Sequence, residues 1–139
     1  MGIPFWFRRM FGDVWRWAGQ YRRTEKNLGI DPAHISVQTR NLLADARAWV
    51  DYATYSPQEA VVRLHYRLVS IHPFVNGNGR HARLLAEAML RYEYGGTAID
   101  WTGGGGFSGI EAQRRAYLDA LRAADCGDLT PLLELVTIF

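Results

Sequence analysis

The chain has 139 residues, of which 48% are hydrophobic and 22% charged, a composition typical of one folded domain and not of a disordered segment. The net charge of +2 is too small to indicate a nucleic-acid-binding protein. A single cysteine, Cys126, excludes an internal disulfide framework, and no apolar run approaches the roughly 18 residues of a membrane span. We therefore expect one cytoplasmic domain over residues 1–139.

Aromatic residues dominate the first predicted element, a helix over residues 5–18. Trp6, Met10, Val14 and Trp17 recur there at spacings of three and four, which is the period of one helix face. Packing in a core is favoured over base stacking or sugar binding, because these aromatic residues follow helical spacing.

An irregular loop and two helices are predicted next. Residues 21–35 are polar and rich in turn-forming residues, which predicts a surface loop. Apolar residues at helical spacing predict a helix over residues 36–54. A further helix is predicted over residues 56–71, because Ser56 is placed as its N-cap and Glu59 completes a capping box.

The segment over residues 71–83, Ile-His-Pro-Phe-Val-Asn-Gly-Asn-Gly-Arg-His-Ala-Arg, is predicted to be the functional loop. Pro73 ends the preceding helix, since proline has no backbone donor and disfavours helical dihedrals before it. The next helix opens within residues 77–80, so its free N–H groups and the positive end of its dipole face outward. Gly77 and Gly79 let the backbone form an anion-binding nest.

Three side chains add to that anion site. Arg80 and Arg83 are three residues apart on one helix face and offer bidentate donors to phosphate. Cations are disfavoured at a helix N-terminus, so their position argues for a bound anion. His72 lies just upstream and can act as a base near neutral pH, although a histidine at a helix end can also bind the last carbonyls. The layout is typical of a phosphate-handling active site.

The remainder of the chain is predicted to be helical. The helix after the loop is expected to run to Gly95, and residues 99–101 form a short apolar connector. The four glycines that follow are not a phosphate loop, because no Gly-Lys-Ser or Gly-Lys-Thr follows them, and they indicate a flexible surface linker. Ser108 and Glu111 predict another capping box, and Pro131 predicts the first turn of a last helix that continues to the chain end.

The histidines allow one metal-site hypothesis. His65 lies two helical turns before His72, and His81 follows in the loop, so the three could form a zinc site. This hypothesis is disfavoured because no cysteine or carboxylate stands at metal-ligand spacing. The favoured interpretation is a buried or surface histidine at position 65 and a solvent-facing helix residue at position 81.

The loop resembles the signature of the Fic (filamentation-induced-by-cAMP) family, H-x-F-x-[DE]-G-N-G-R-x-x-R. The resemblance extends to residues 11–19 and 117–125, and thus over nearly the whole chain. One position departs from the pattern, since Asn76 stands where the family has a carboxylate. That variant, together with residues 22–27, is most similar to the branch labelled "mobile mystery protein B". The matching loop positions are His72, Phe74, Gly77, Asn78, Gly79, Arg80 and Arg83.

The resemblance implies a fold and a docking surface. The implied fold is an all-α, single-domain Fic-type helical bundle with a small β-hairpin flap over about residues 21–35. In the family this flap aligns a target segment beside the active site by strand addition, which leaves the target hydroxyl free. Phe74 is expected to pack inward and fix the loop. The matching target-positioning residues are Thr24, Glu25, Lys26 and Asn27.

The implied activity is that of a protein adenylyltransferase, which passes a nucleoside monophosphate from ATP to a Ser, Thr or Tyr hydroxyl of a protein and releases pyrophosphate. His72 would be the catalytic base. The glycine-rich turn would surround the α- and β-phosphates, and the two arginines would hold the β- and γ-phosphates. Nucleotide and phosphate binding would thus fall to Gly77, Asn78, Gly79, Arg80 and Arg83.

Asn76 leaves three hypotheses open. The family's carboxylate binds the Mg²⁺ that bridges the phosphates, and a neutral amide oxygen is a weaker ligand. In the first hypothesis the metal binds through Asn76 and the phosphates alone. In the second the protein uses a different nucleotide or orientation, as the kinase-like Doc branch does. In the third, activity is lost and a non-catalytic nucleotide- or partner-binding module remains.

Control of activity is expected to come from a partner. Many Fic proteins carry an inhibitory helix, [ST]-x-x-x-E-[GN], and only Thr130 and Glu134 have that spacing here, followed by Leu135. This indicates an ordinary last helix. The branch named above is paired with a helix-turn-helix protein, so the resemblance implies inhibition in trans and a toxin-like role in a toxin–antitoxin pair. No direct contact with nucleic acid or membrane is expected.

Overall fold

The computed structural model describes residues 19–104 and 109–139, and most of them are helical, which confirms the all-α prediction. The predicted helix over residues 5–18 lies outside the described residues. In chain order the elements are a 3₁₀ turn (Pro32–His34), α1 (Ile35–Asp51), α2 (Pro57–Ile71), α3 (Asn78–Tyr94), β1 (Ile99–Asp100), α4 (Ile110–Asp125), α5 (Thr130–Leu135) and β2 (Thr137–Ile138).

Helix α2 is the central element of the fold, because it packs against α1, α3 and α5. The predicted N-terminus is confirmed, since Ser56 Oγ accepts the N–H of Glu59 at 3.2 Å. The predicted C-terminus is confirmed as well, with Ile71 as the last helical residue and His72 as the C-cap. The residues that α2 buries are Ala60, Val61, Val62, Leu64, His65, Leu68 and Ile71.

Two left-handed glycines delimit α3. Gly77 precedes the helix with a φ of 75°, and Gly95 follows it with a φ of 71°. Both conformations favour glycine, which has no Cβ to clash. The predicted opening of this helix in the glycine-rich turn, and its end near Gly95, are confirmed.

The small sheet of the fold joins β1 to β2, which run antiparallel with Ile99 opposite Ile138. The predicted connector over residues 99–101 is thus partly a strand, and the last helix ends at Leu135, earlier than predicted. Gln58 Nε2 donates to the carbonyl of Leu133 at 2.9 Å. In a longer helix this carbonyl would accept the main-chain N–H of the residue four positions later. The chain after α5 is therefore free to pair as a strand.

Residues 21–35 contain no strand, so the structure places the strand pair elsewhere than in the predicted flap. The irregular surface loop that the residues themselves predict is confirmed. The backbone of this segment bonds to the end of α2 and the residues after it: the N–H of Arg22 donates to Pro73 at 2.9 Å, and the N–H of Ile30 to Ile71 at 3.4 Å. These two main-chain N–H groups, which a hairpin would pair within the segment, instead attach the segment to the end of α2 and the functional loop.

Helix α4 begins without a side-chain cap, with Gly109 at its N-cap position. Ser108 of the predicted capping box lies outside the described residues, as do residues 105–107 of the glycine-rich run. Among residues 19–104 and 109–139, no helix is both long and apolar enough to cross a membrane.

We expect the Ser56→Ala substitution to lower the free energy of unfolding by about 1 kcal/mol, because it removes the cap of the central helix. Urea denaturation measures this change. Ser36→Ala, at an exposed position in the first turn of α1, is the matched control and should stay within about 0.5 kcal/mol of the native protein. Equal losses in the two variants would contradict a specific role for the Ser56 cap.

Candidate functional site

A cleft of about 960 Å³ opens where α2 ends and α3 begins. Helix α4 contributes Tyr117, Leu118 and Leu121 to its lining, from the second block of family resemblance. The cleft also brings together every loop residue that was predicted to act: His72, Asn76, Gly77, Asn78, Gly79, Arg80 and Arg83.

His72 is held at the end of α2 in a left-handed backbone conformation, with a φ of 52°. Its N–H donates to Leu68 at 3.1 Å, which keeps it attached to the helix. Burial lowers the pKa of the His72 imidazole, and the positive charges of Arg22 and Lys26 lower it further. Because an ordinary histidine titrates near 6.5, this imidazole is neutral at physiological pH. The neutral form is the one that a general base requires.

Arg22 is buried, with 2% of its surface exposed, although the sequence places it in a polar surface loop. Its guanidinium donates to four main-chain carbonyls: Nε to His72 at 2.6 Å, Nη1 to Thr24 at 3.0 Å, and Nη2 to Ile30 and Ile71. The last carbonyls of α2 are therefore bound by Arg22 and not by the imidazole of His72. Sequence analysis missed this functional residue, since no motif or spacing signals it.

Asn78 closes the turn between α2 and α3 through its side chain. The N–H of Phe74 donates to Asn78 Oδ1, and Asn78 Nδ2 donates to the carbonyl of Phe74, both at 2.9 Å. The side-chain amide of Asn78 is thus engaged within the turn, and its main-chain N–H is left for the predicted phosphate contact. Phe74 is fully buried and packs against Tyr21 and His81, with ring centroids 5.7 and 5.2 Å away, which confirms its predicted structural role.

The first turn of α3 has the geometry that an anion site needs. Gly77, the N-cap, provides no side-chain hydrogen bond to this turn. A Cβ added to Gly79 would meet no atom within 4 Å, so the turn is open on that side. The first N–H groups of a helix have no partner within the helix, and an anion can accept from them.

Arg80 and Arg83 project from this turn, and neither forms an ion pair within the described residues. The guanidinium carbon of Arg83 lies 4.8 Å from the ring centre of Tyr117. Burial raises the pKa of the Tyr117 phenol, which therefore stays neutral. The Nε of Arg83 is buried and has no hydrogen-bond partner among residues 19–104 and 109–139. An unsatisfied buried donor costs free energy, and a bound phosphate could supply the missing acceptor.

Asn76 is exposed in the cleft and offers a neutral amide oxygen. Asp125 is the only carboxylate among the described lining residues, and its Oδ1 accepts from the Tyr66 hydroxyl at 2.9 Å. In the described ranges, no group of three His, Cys, Asp or Glu residues is arranged to hold a metal ion. These residues fit a Mg²⁺ ion that is held mainly by nucleotide phosphates, and they do not form a resident metal site.

His65 and His81 are both buried, at 0% and 1% exposure, so the prediction that His81 faces solvent is wrong. The chain reversal turns this face of α3 against the Phe74 ring. His65 Nε2 lies 2.7 Å from the Tyr117 hydroxyl. Burial lowers the pKa of His65 to about 3 and that of His81 to about 4. Within the described chain neither joins His72 in a group that could hold a metal.

The segment of the predicted flap, residues 21–35, lies against His72 at Gly29. Gly29 has a φ of +93°, and a Cβ there would stand 2.6 Å from the Cβ of His72. Leu28 and Gly29 line the cleft itself. Exposed side chains precede them at Thr24, Glu25, Lys26 and Asn27.

The groups of this cleft are suited to one kind of chemistry. His72 can take a proton, and a helix N-terminus with two unpaired arginines can bind a polyphosphate. Together they favour the transfer of a phosphorus-centred group to a hydroxyl that His72 deprotonates.

Comparison with known proteins shows that the chain is similar to members of one protein family. The model of the Fic/DOC family matches residues 6–90. The chain is similar to the protein adenylyltransferase Fic of Drosophila melanogaster, with 35% identity over 125 residues, 85% of this chain and 23% of that protein. Protein adenylyltransferase fic-1 of Caenorhabditis elegans is 30% identical over 127 residues, 86% of this chain and 22% of its own length. The chain thus spans about a quarter of the length of these relatives.

Solved structures show the same fold. A fragment of C. elegans Fic-1 superposes with a TM-score of 0.76 at 28% identity, over 96% of this chain and 38% of the other. The BepC protein of Bartonella tribocorum, solved with bound AMPPNP, gives a TM-score of 0.70 at 20% identity, over 96% of this chain and 70% of its own. At that identity BepC supports the fold alone.

Two asparagines of the loop allow a matched prediction. We expect Asn78→Ala to lower the free energy of unfolding by about 2 kcal/mol, because it leaves the buried main-chain groups of Phe74 unsatisfied. Asn76→Ala, at an exposed position, should change stability by less than about 0.5 kcal/mol. Urea denaturation of both variants measures the difference, and equal stabilities would show that Asn78 does not hold the turn.

Proposed function

The chain belongs to the Fic/DOC family, and on that basis we propose that it is a protein adenylyltransferase, which transfers the nucleoside monophosphate of ATP to a Ser, Thr or Tyr hydroxyl of a protein. One observation carries the proposal: a single cleft joins a neutral His72 to Arg80 and Arg83, which have no ion-pair partner in the described chain. The similar proteins of D. melanogaster and C. elegans are named adenylyltransferases.

The proposed reaction is a displacement at the α-phosphorus of ATP. The His72 imidazole takes the proton of the target hydroxyl, while the oxygen of that hydroxyl forms the new bond to phosphorus. The bond from the α-phosphorus to the bridging oxygen of the β-phosphate breaks, and pyrophosphate leaves with that electron pair. General-base assistance of this kind contributes roughly 10²- to 10⁴-fold in rate.

Phosphate binding is proposed to use the first turn of α3. Its main-chain N–H groups would donate hydrogen bonds to the reacting phosphoryl group and offset the negative charge that develops there, where one well-placed donor contributes roughly 3 kcal/mol. Arg80 and Arg83 would bind the outer phosphates and stabilise the leaving pyrophosphate. The buried Nε of Arg83, which has no hydrogen-bond partner in the part of the chain that the structure describes, would then be satisfied.

Magnesium is proposed to arrive with the nucleotide. Such an ion would neutralise phosphate charge during the transfer. Asn76 would hold it through its amide oxygen, a weaker ligand than the family's carboxylate.

The protein substrate is proposed to lie along residues 24–27, whose exposed side chains flank the cleft. An extended target segment would pair with this backbone and present its hydroxyl to His72.

Three hypotheses rest on the resemblance of Asn76 and residues 22–27. They are an antitoxin-like helix-turn-helix partner, a toxin-like role and membership of the "mobile mystery protein B" branch. A cytoplasmic location rests on the use of a single unbridged cysteine.

Asn76 favours two further candidates. A Doc-like protein kinase would bind the nucleotide in another orientation and transfer its γ-phosphate. A non-catalytic nucleotide- or partner-binding module would keep the cleft without the chemistry, because the charged metal ligand is replaced. Both are distinguished from adenylyl transfer by the position of the transferred label.

We expect purified protein with Mg²⁺, cell lysate and ATP labelled at the α-phosphate to attach label to protein, and His72→Ala to abolish this transfer. Transfer should also decline as the pH falls through the pKa of His72, below 6.5, because protonation removes the base. Gel autoradiography at several pH values measures both effects. His34→Ala, at an exposed position outside the cleft, is the control and should keep full activity.

Other outcomes would decide against adenylyl transfer. Label from the γ-phosphate alone would identify the kinase-like candidate. No label from either position, in the native protein and in Asn76→Asp, would favour the non-catalytic module.

We expect Asn76→Asp to increase the affinity for ATP in the presence of Mg²⁺ by about tenfold, because a charged oxygen replaces a neutral one as metal ligand. Calorimetry with Mg²⁺, and with EDTA in its place, measures the change without requiring catalysis. Asn41→Asp adds the same charge at an exposed position of α1 and should leave binding unchanged. A gain for Asn76→Asp that persists in EDTA would show that the position does not contact the metal.

A further inference from the structure

One buried guanidinium connects the predicted flap to the catalytic histidine. We propose that Arg22 is a positioning residue, which holds the backbone of His72 and couples it to residues 21–30. The inference rests on the proposed function in assigning His72 as the base. It adds a residue, outside the signature loop, that sets where this base points.

Arg22 is an unusual residue to bury without a counter-ion. Its side chain is 2% exposed, and none of the ion pairs among the described residues includes it. Burying an unpaired charge is costly unless polar groups surround it. Four carbonyls do so here, and two of them, Ile71 and His72, form the negative end of the α2 dipole. The charge is therefore stabilised by the end of α2 together with the carbonyls of Thr24 and Ile30.

The backbone on both sides of His72 is held by the same residue. Before His72, Arg22 Nη2 donates to the carbonyl of Ile71 at 3.3 Å; after it, Arg22 Nε donates to the carbonyl of His72 at 2.6 Å, and the main-chain N–H of Arg22 donates to Pro73 at 2.9 Å. A left-handed conformation such as that of His72, with a φ of 52°, is strained for a residue with a Cβ and persists only where neighbours enforce it. Because the backbone sets the direction of the Cα–Cβ bond, these bonds aim the imidazole.

The same guanidinium also binds the flap segment, through the carbonyls of Thr24 and Ile30. Gly29 packs on both residues, since a Cβ there would lie 2.6 Å from Arg22 Nη2 and 2.6 Å from the Cβ of His72. A shift of this segment when a target docks therefore acts directly on the catalytic histidine. Through these contacts Arg22 couples the position of residues 21–30 to that of His72.

The charge environment of His72 makes this proposal measurable. The segment contributes Arg22 and Lys26, which add to the effect of burial in lowering the pKa of His72. The other charged or titratable groups of the cleft lining are Tyr66 of α2, Arg80 and Arg83 of α3, and Tyr117, Arg122 and Asp125 of α4. These groups stay in place when Arg22 is replaced, so a change in the pKa of His72 reports on Arg22.

The first test is an NMR titration of the His72 ring protons, assigned by their absence in His72→Ala. In Arg22→Gln we expect the pKa of His72 to rise toward 6.5, because a positive charge is lost and the packing around the ring loosens. In Arg22→Lys the pKa should stay low, since the charge is kept. Arg23→Gln, at the exposed neighbouring position, removes the same charge from the surface and should leave the pKa unchanged.

The second test separates positioning from simple stability. Both Arg22→Gln and Arg22→Lys should lower kcat for adenylyl transfer about 100-fold, because lysine cannot hold several carbonyls in one plane and the base is misplaced. KM for ATP should stay within about threefold, since the phosphate site is on α3. The acid limb of the pH–rate profile should move to higher pH in Arg22→Gln alone.

Failure of this proposal is distinct from failure of the proposed function. If Arg22→Lys keeps the native kcat, or if Arg22→Gln and Arg23→Gln shift the pKa of His72 equally, Arg22 is not a positioning residue. If the native protein transfers no label but the titration changes as expected, the assigned activity is wrong and the coupling of Arg22 to His72 stands.

Discussion

The cleft depends on how the chain reverses between α2 and α3. Both ends of this turn need a left-handed backbone, at His72 with a φ of 52° and at Gly77 with a φ of 75°. Glycine adopts that conformation freely, but a residue with a Cβ does so only under constraint. Arg22 on one side and Asn78 on the other supply the constraint, because their side chains form hydrogen bonds to main-chain atoms of the turn. The direction of the base is thus set by the backbone before any ligand binds.

The same arrangement concentrates positive charge around a neutral imidazole. Lys26, Arg80 and Arg83 join the N-terminus of α3 in or beside the cleft, against the single carboxylate of Asp125 among the described lining residues. A bound polyphosphate would offset these charges and thereby raise the pKa of His72. Nucleotide binding would then make His72 a stronger base at the moment it is needed. It would also stabilise the fold, because the ligand satisfies donors that the free protein leaves unpaired.

Local signals were enough to predict helices α1 to α4 and most of the cleft. The Ser56 cap, the end of α2 at Ile71 and the glycines around α3 each depend on residues within one or two turns. Long-range contacts were not predictable in this way. Arg22 is buried by carbonyls about 50 positions later in the chain, and β1 pairs with a strand that sequence patterns assign to a helix. The resemblance to a family supplied site residues, but it did not reveal that Asn78 uses its side chain to close the turn.

Asn76 is best understood from the groups that surround it. In a loop that holds Mg²⁺ through a carboxylate, the metal and the arginines share the charge of the phosphates, and the carboxylate offsets part of the metal's charge. With a neutral amide, the exposed loop carries one negative charge fewer, while Arg80, Arg83 and the free N–H groups of α3 remain. In the proposed function, the phosphates would then meet a more positive site even before a metal binds. Weaker metal binding would therefore be offset by stronger direct attraction, so the substitution would shift the balance between metal and arginine without removing the proposed anion site.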